Sequence, residues 1–133
     1  MRILLDTHAL LWLLGDDPRL SDPARNVILD PMNEVFASIA SFWEMAVKIR
    51  VGKLASLDVA QIMTAVATEG IELLEIRPTH IGALQQLPFY PDHRDPFDHL
   101  LVAQAISEGM IFMSEDRNVH RYAVARIACS SGR

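Results

Sequence analysis

A three-layer α/β/α sandwich around a central, mainly parallel sheet of four to five strands is the fold class this sequence predicts, on three observations. Short apolar runs of strand type alternate with longer segments of helical period. Several of those runs close on an acidic residue, as expected where a buried parallel strand reaches the carboxyl edge of its sheet. No repeat, linker or low-complexity stretch interrupts the 133 residues, so one α/β domain spanning 1–133 is expected.

Arg2 to Asp6 is an apolar run ended by an acid, the pattern of a central strand, and a helix follows over Ala9 to Leu14. Gly15-Asp16-Asp17-Pro18 is a turn with two solvated acids, after which Ser21 caps a helix over Ala24 to Leu29. Glu34 to Ser38 is the second strand. From Ser41 to Val51, Phe42, Met45, Ala46 and Ile49 share one helical face, widened by Trp43 and Val47, and Gly52 ends the segment. An amphipathic helix covers Asp58 to Thr68, and a third strand covers Gly70 to Ile76. Arg77-Pro78-Thr79 starts a helix towards Leu84, and Leu87 to Asp92 is a loop punctuated by proline. Asp95 caps a long helix with Pro96 at its first position, and Gly109 closes it. Met110 to Ser114 is an apolar strand ending at Glu115-Asp116. A short helix over Arg117 to Tyr122, an edge strand over Val124 to Cys129 and a frayed tail complete the chain.

Composition removes several function classes. The net charge of −5 argues against a general nucleic-acid coat protein, whose binding depends on Lys and Arg displacing counterions, but it leaves room for an enzyme acting on nucleic acid. The single cysteine, Cys129, can form neither an intrachain disulfide nor a two-cysteine metal site, which fits a reducing, cytoplasmic setting. The apolar segment from Ile3 to Leu14 is too short to span a bilayer and is interrupted by Asp6 and His8. No small-residue cleavage site follows it, so neither a signal peptide nor a membrane partner is expected.

The chemistry-bearing residues are acids that begin helices. Asp98 lies three residues after the cap Asp95, which suits a capping box. At about 100° per residue it also shares an azimuth with Leu101, Val102 and Ala105, on a stripe that should face the core. An ionised group there is costly unless a cation meets it. Asp6 serves equally well as a helix cap and as a ligand-binding acid at the edge where open α/β sheets bind their ligands. Glu44 and Lys48 are spaced i, i+4, an ordinary helix ion pair, yet Glu44 falls in the first turn after a strand and so at that same edge. Asp116 sits just past another strand end. Topology brings Asp6, Glu44, Asp98 and Asp116 together, although strand ends of any α/β protein are rich in such caps. His8, with no second histidine at ligand spacing, reads as a packing or hydrogen-bonding residue. Trp12, Phe42 and Trp43 read as core.

Four blocks of the chain carry a family resemblance. Asp6-Thr7-His8-Ala9-Leu10-Leu11-Trp12 forms the first. Ser41-Phe42-Trp43-Glu44 with Lys48, Gly52 and Lys53 forms the second, His93 to Ala105 the third, and Ser114-Glu115-Asp116 the fourth. Together they resemble the PIN-domain ribonucleases, specifically the VapC-type toxins of bacterial toxin–antitoxin pairs, along nearly the whole chain. The third block is the most specific. The pattern departs at His99, where many relatives carry Arg.

The resemblance implies a cytoplasmic metal-dependent endoribonuclease whose Asp6, Glu44, Asp98 and Asp116 hold one or two Mg²⁺ or Mn²⁺ ions, with products carrying a 5′-phosphate and a 3′-hydroxyl. It also implies a homodimer restrained by a cognate antitoxin protein. All-oxygen carboxylate ligands suit those ions. Around the acids, Thr7, Ser41 and Ser114 are candidates to hydrogen-bond a carboxylate or a water, with helix capping the stronger expectation for Ser41. Lys48 and Lys53 are candidates for the RNA backbone, Asp95 for the helix cap, and His99 for a substrate or partner contact. Two other classes compete. A pseudo-nuclease would keep the fold and grip RNA or a protein without chemistry. A receiver-like domain would need a phosphorylatable Asp after the third strand, where Arg77-Pro78 stands instead.

Overall fold

A computed structural model gives the fold of residues 1–130. Five strands, β1 (Arg2–Leu5), β2 (Glu34–Ser38), β3 (Glu72–Leu74), β4 (Ile111–Ser114) and β5 (Arg126–Ala128), form one sheet in the order β3-β2-β1-β4-β5. Every neighbouring pair is parallel. The helices are α1 (Thr7–Leu14), α2 (Asp22–Leu29), α3 (Ile39–Arg50), α4 (Val59–Thr68), α5 (Pro78–Gln85) and α6 (Pro96–Glu108). A 3₁₀ turn covers Arg117–Arg121, where the sequence predicts a short helix. The fray expected of the tail concerns residues 131–133, which lie outside the described residues.

The three layers follow from the strand period of two. Ile3, Leu5, Val35, Ala37 and Met113 face a core shared with Leu10, Trp12, Ile28, Phe42, Met45 and Val66. Their alternates Leu4, Phe36 and Phe112 face a second core with Leu74, Leu101, Val102 and Ala105. Each central strand is therefore buried on both sides, which is why it reads as a continuous apolar run rather than an alternating one.

Helix starts position the site, and side-chain caps set most of them. Asp6 caps α1 by accepting from the Ala9 N–H (2.7 Å), so the helix begins two residues earlier than its apolar period suggests. Ser38 caps α3 through the Ala40 N–H (3.0 Å), and Asp95 caps α6 through the Phe97 N–H (2.9 Å). Gly109 closes α6 at φ +66°, the left-handed region where a Cβ is strained.

Two expectations for α3 change with its start. Ser41 is an interior helix residue and caps nothing, because Ser38 has taken that role at the strand end. Glu44 consequently lies in the second turn, still turned inward and buried. Trp43 is not core: it is 54% exposed and meets Phe97 edge-on at 4.8 Å. A helix that buries Phe42, Glu44 and Met45 has no inward direction left for it.

Candidate active site

The carboxyl edge of the sheet gathers the acids that the sequence singles out. Asp6 leaves β1 and enters α1, and its backbone N–H still donates to the Met113 carbonyl of β4 (2.9 Å). Its carboxylate is buried and held at both ends, Oδ1 by the Ala9 N–H and Oδ2 by the Glu115 N–H (2.8 Å). Burial raises the Asp6 pKa above the usual carboxylate value, while those two backbone bonds pull it down. The acid is thus both a cap and a fixed corner of the cluster, so the two sequence readings of Asp6 do not exclude each other.

Glu44 is equally well anchored. Thr7 Oγ1 lies 2.7 Å from Glu44 Oε1 and 2.9 Å from Ser41 Oγ. A carboxylate only accepts, so Thr7 donates its single proton to Glu44 and the Ser41 hydroxyl pairs with the Thr7 oxygen. Lys48 Nζ donates to Glu44 Oε2 at 2.6 Å, which raises the Lys48 pKa. The expected i, i+4 ion pair is therefore present within the cluster. Across the edge, Ser114 Oγ accepts from the Asp116 N–H (3.0 Å), and Asp116 Oδ1 accepts from the Asn118 N–H (2.8 Å).

Asp98 stands in the first turn of α6 with its side chain 31% exposed. Its pKa is pushed up to about 7, first by burial and then by the negative charges of Asp95, Glu44, Asp6 and Asp116. That ordering places all four other acids within electrostatic reach of one carboxyl group. Asp95 itself is committed to the helix cap.

His93, which opens the third sequence block but has no site role there, joins these acids. It is only 5% exposed, and its Nε2 lies 2.8 Å from Asp116 Oδ2 and 3.7 Å from Asp98 Oδ2. Ligand atoms of His93, Asp98 and Asp116 all fall within 4.8 Å of one another. The local signal was slight: a histidine in a loop between prolines, ahead of an N-cap. His99, the departure from the family pattern, turns towards this residue, its Nε2 lying 2.6 Å from the His93 carbonyl.

Beside Glu44, a cleft of about 380 Å³ is lined in part by Thr7, His8, Trp12, Arg19, Lys48 and Lys53. Of its cations, Arg19 is paired with Asp17 and Lys48 with Glu44. No helix among the described residues is long and apolar enough to cross a membrane.

The acids stand at the carboxyl edge of an all-parallel α/β/α sheet, the edge at which open α/β folds take their ligands. The family follows from the chain itself: residues 3–125 match the PIN domain model, and the protein belongs to the PIN domain family. No curated protein matches the sequence. Among solved structures, the fold is similar to VapBC2 from Rickettsia felis bound to a DNA fragment from its promoter. That pair has a TM-score of 0.70 at 12% identity, covering 96% of this chain and 98% of the other. It is also similar to FitAcB from Neisseria gonorrhoeae, with a TM-score of 0.62, 17% identity and coverage of 95% and 96%. VapBC-1 from nontypeable Haemophilus influenzae gives a TM-score of 0.63 at 17% identity, covering 96% and 97%. At these identities the likeness is one of fold.

Proposed function

We propose that this PIN-domain protein is a divalent-metal-dependent endoribonuclease, the toxin of a toxin–antitoxin pair. The observation that carries the reading is the crowding of carboxylates at the carboxyl edge of the sheet, where ligand atoms of Asp98 and Asp116 lie within 4.8 Å of each other beside His93 and the charges of Asp95, Glu44 and Asp6 also bear on Asp98. Such crowding has no structural merit by itself, since it repels, and it is the arrangement a small, hard cation relieves. The donor set of Asp6, Glu44, Asp98 and Asp116 offers oxygen ligands of the kind Mg²⁺ and Mn²⁺ take. Bound there, one or two such ions would lower the pKa of a water and offset the charge developing on a phosphate.

The chain's own residues supply the rest. Asp6 is fixed by two backbone N–H groups and cannot swing away. Thr7 and Lys48 orient Glu44, and Ser114 sets the backbone that presents Asp116. Lys48, Lys53 and Arg19 line the adjacent cleft and suit a phosphodiester backbone, contributing position rather than sequence preference. Water adds at phosphorus, the bond to the 3′-oxygen breaks, and the products carry a 5′-phosphate and a 3′-hydroxyl. The toxin role, the homodimer and the cognate antitoxin rest on the VapC-type resemblance of the four sequence blocks, and the VapBC complexes among the similar folds support it.

The test is to incubate the purified protein with structured RNAs and Mg²⁺ or Mn²⁺ and to map the ends. Cleavage that disappears in Asp6→Asn and Asp98→Asn is expected. No cleavage, or equal cleavage by both variants, overturns the reading and leaves the pseudo-nuclease.

A further inference from the structure

His93 is a buried imidazole with one nitrogen accounted for and one not. Its backbone N–H donates to the Tyr90 carbonyl (3.0 Å), and its own carbonyl receives His99 Nε2. The ring packs edge-on against His99 at 5.0 Å and tilted against Tyr122 at 5.6 Å. Nδ1 lies 2.7 Å from Tyr122 Oη. Three neighbours thus fix both the loop and the ring of a residue that local sequence would leave as a turn.

Nε2 is different. It is buried, and it has no hydrogen-bond partner among the described residues. Asp116 Oδ2 is near enough at 2.8 Å but lies out of line with the ring's N–H direction, so the in-plane axis of Nε2 runs past that oxygen rather than into it. A buried nitrogen left in this way is destabilising and calls for an occupant. A second carboxylate is close as well, with Asp98 Oδ2 at 3.7 Å from Nε2.

We infer that His93 Nε2 is a direct ligand of a divalent cation shared with Asp98 and Asp116. This rests on the metal-dependent reading above but not on RNA being the substrate, and it adds a nitrogen to a set otherwise made of carboxylates. The assignment requires one tautomer, and Tyr122 Oη can serve it as acceptor. Nδ1–H donates to Tyr122 Oη, leaving the Nε2 lone pair for the ion, the usual arrangement when a histidine ligand is steadied through its second nitrogen. Cis ligands on an ion at about 2.1 Å are roughly 3 Å apart, and the observed 2.8 Å and 3.7 Å bracket that spacing. Of the other acids, Asp6 has both oxygens on backbone N–H groups and Glu44 has both on Thr7 and Lys48. Imidazole favours later first-row ions over Mg²⁺, so the site selects Mn²⁺ over Mg²⁺. His99 gains a role as well: standing where relatives carry Arg, it holds the His93 carbonyl and positions the ligand.

Pulsed EPR of the full chain loaded with stoichiometric Mn²⁺ tests this without reference to cleavage. A ¹⁴N coupling is expected in the wild type, converting to the ¹⁵N pattern when histidine is labelled. It should vanish in His93→Gln, with Mn²⁺ affinity down about tenfold or more, and persist in His99→Gln and His8→Gln. Tyr122→Phe, which keeps the ring but loses its steadying partner, should weaken Mn²⁺ while retaining the coupling. An oxygen-only Mn²⁺ spectrum, no Mn²⁺ binding, or a coupling unchanged in His93→Gln overturns the assignment. The two readings fail separately: nitrogen-coupled Mn²⁺ in a protein that cuts no RNA upholds the ligand, and cleavage with an oxygen-only spectrum refutes it.

Discussion

Two buried polar clusters hang from helix α6, and they are built on opposite rules. Behind the sheet, His80, Gln104, Ser38 and Glu108 form a closed network. Gln104 Oε1 accepts from Ser38 Oγ at 2.5 Å, and Gln104 Nε2 lies 3.2 Å from His80 Nδ1. The Arg77 N–H donates to the same His80 nitrogen at 2.9 Å, so His80 carries its proton on Nε2 and gives it to Glu108 Oε2 at 2.9 Å. His80 holds the Glu108 pKa below the usual carboxylate value, and Arg77 and Arg2 add to the effect. At the front, Asp98 is raised rather than lowered and His93 Nε2 has no hydrogen-bond partner among the described residues. A polar cluster that satisfies itself fixes the fold. One that leaves charge and a nitrogen unmet is arranged for something that is not protein.

The largest expected effects separate these roles by sign. Asp98→Asn should cut RNA cleavage by about 10²- to 10³-fold, the scale of several kcal/mol of withdrawn transition-state charge stabilisation. At pH 8, without metal, the same change should raise the melting temperature, because it removes an uncompensated charge. His80→Ala should do the reverse, destabilising by about 1–3 kcal/mol because the Arg77 N–H loses its acceptor and Glu108 its nearest donor, while leaving cleavage per folded molecule unchanged. Thermal denaturation and single-turnover cleavage on both variants would break the comparison if Asp98→Asn proved destabilising and His80→Ala inactive.

The two clusters also differ in how visible they are in the sequence. Every strand and helix is legible, because periods of 2 and 3.6 and residues such as Ser21, Asp95 and Gly109 are local signals. The edge that gathers Asp6, Glu44, Asp98 and Asp116 is legible as topology, and the joint role proposed for them only through family resemblance. Ser41 was misplaced because the strand runs straight into α3 and Ser38, the true cap, looks like its last residue. His93 was invisible for a deeper reason. Its partners Tyr122 and Asp116 come from the segment after β4, and no pattern near Pro91 announces a contact with them. The network on His80 was equally hidden, since it joins β2, α5 and α6 through side chains that look unremarkable in their own elements.

A smaller effect is read from pH. In the metal-free protein Asp98 holds its proton up to about 7, against 3.8 for an unperturbed aspartate. Between those values the folded state carries a proton that the unfolded chain has released. Stability therefore falls as pH rises through that window and levels off above it, the opposite of a salt-bridged carboxylate. Denaturant midpoints of the metal-free protein from pH 4 to 8 should follow that slope, and Asp98→Asn should flatten it. An unchanged slope in the variant would move the strain to another acid. The closed network is expected to contribute with the other sign, because the depressed Glu108 favours folding once the pH exceeds its unfolded value.

The smallest effect lies where the front cluster satisfies itself through an ion pair. Lys48 occupies Glu44 Oε2 at 2.6 Å, while its own side chain is 39% exposed. An incoming cation must compete with that ammonium for Glu44 and bind against its charge. Lys48→Met removes both obstacles, so Mn²⁺ should bind about two- to fivefold more tightly, within the range of less than about 1 kcal/mol that a partly exposed ion pair contributes. The metal-free variant should be less stable, since Glu44 is then buried with Thr7 alone, and saturating Mn²⁺ should raise its melting temperature more than that of the wild type. Calorimetric titration decides the matter. Weaker Mn²⁺ binding in Lys48→Met would mean that Lys48 holds Glu44 in place for the ion rather than standing in for it. Glu44 would then be an acid that Thr7 and Lys48 keep aimed at the ion, and it would stay in the unmet set with His93, Asp98 and Asp116.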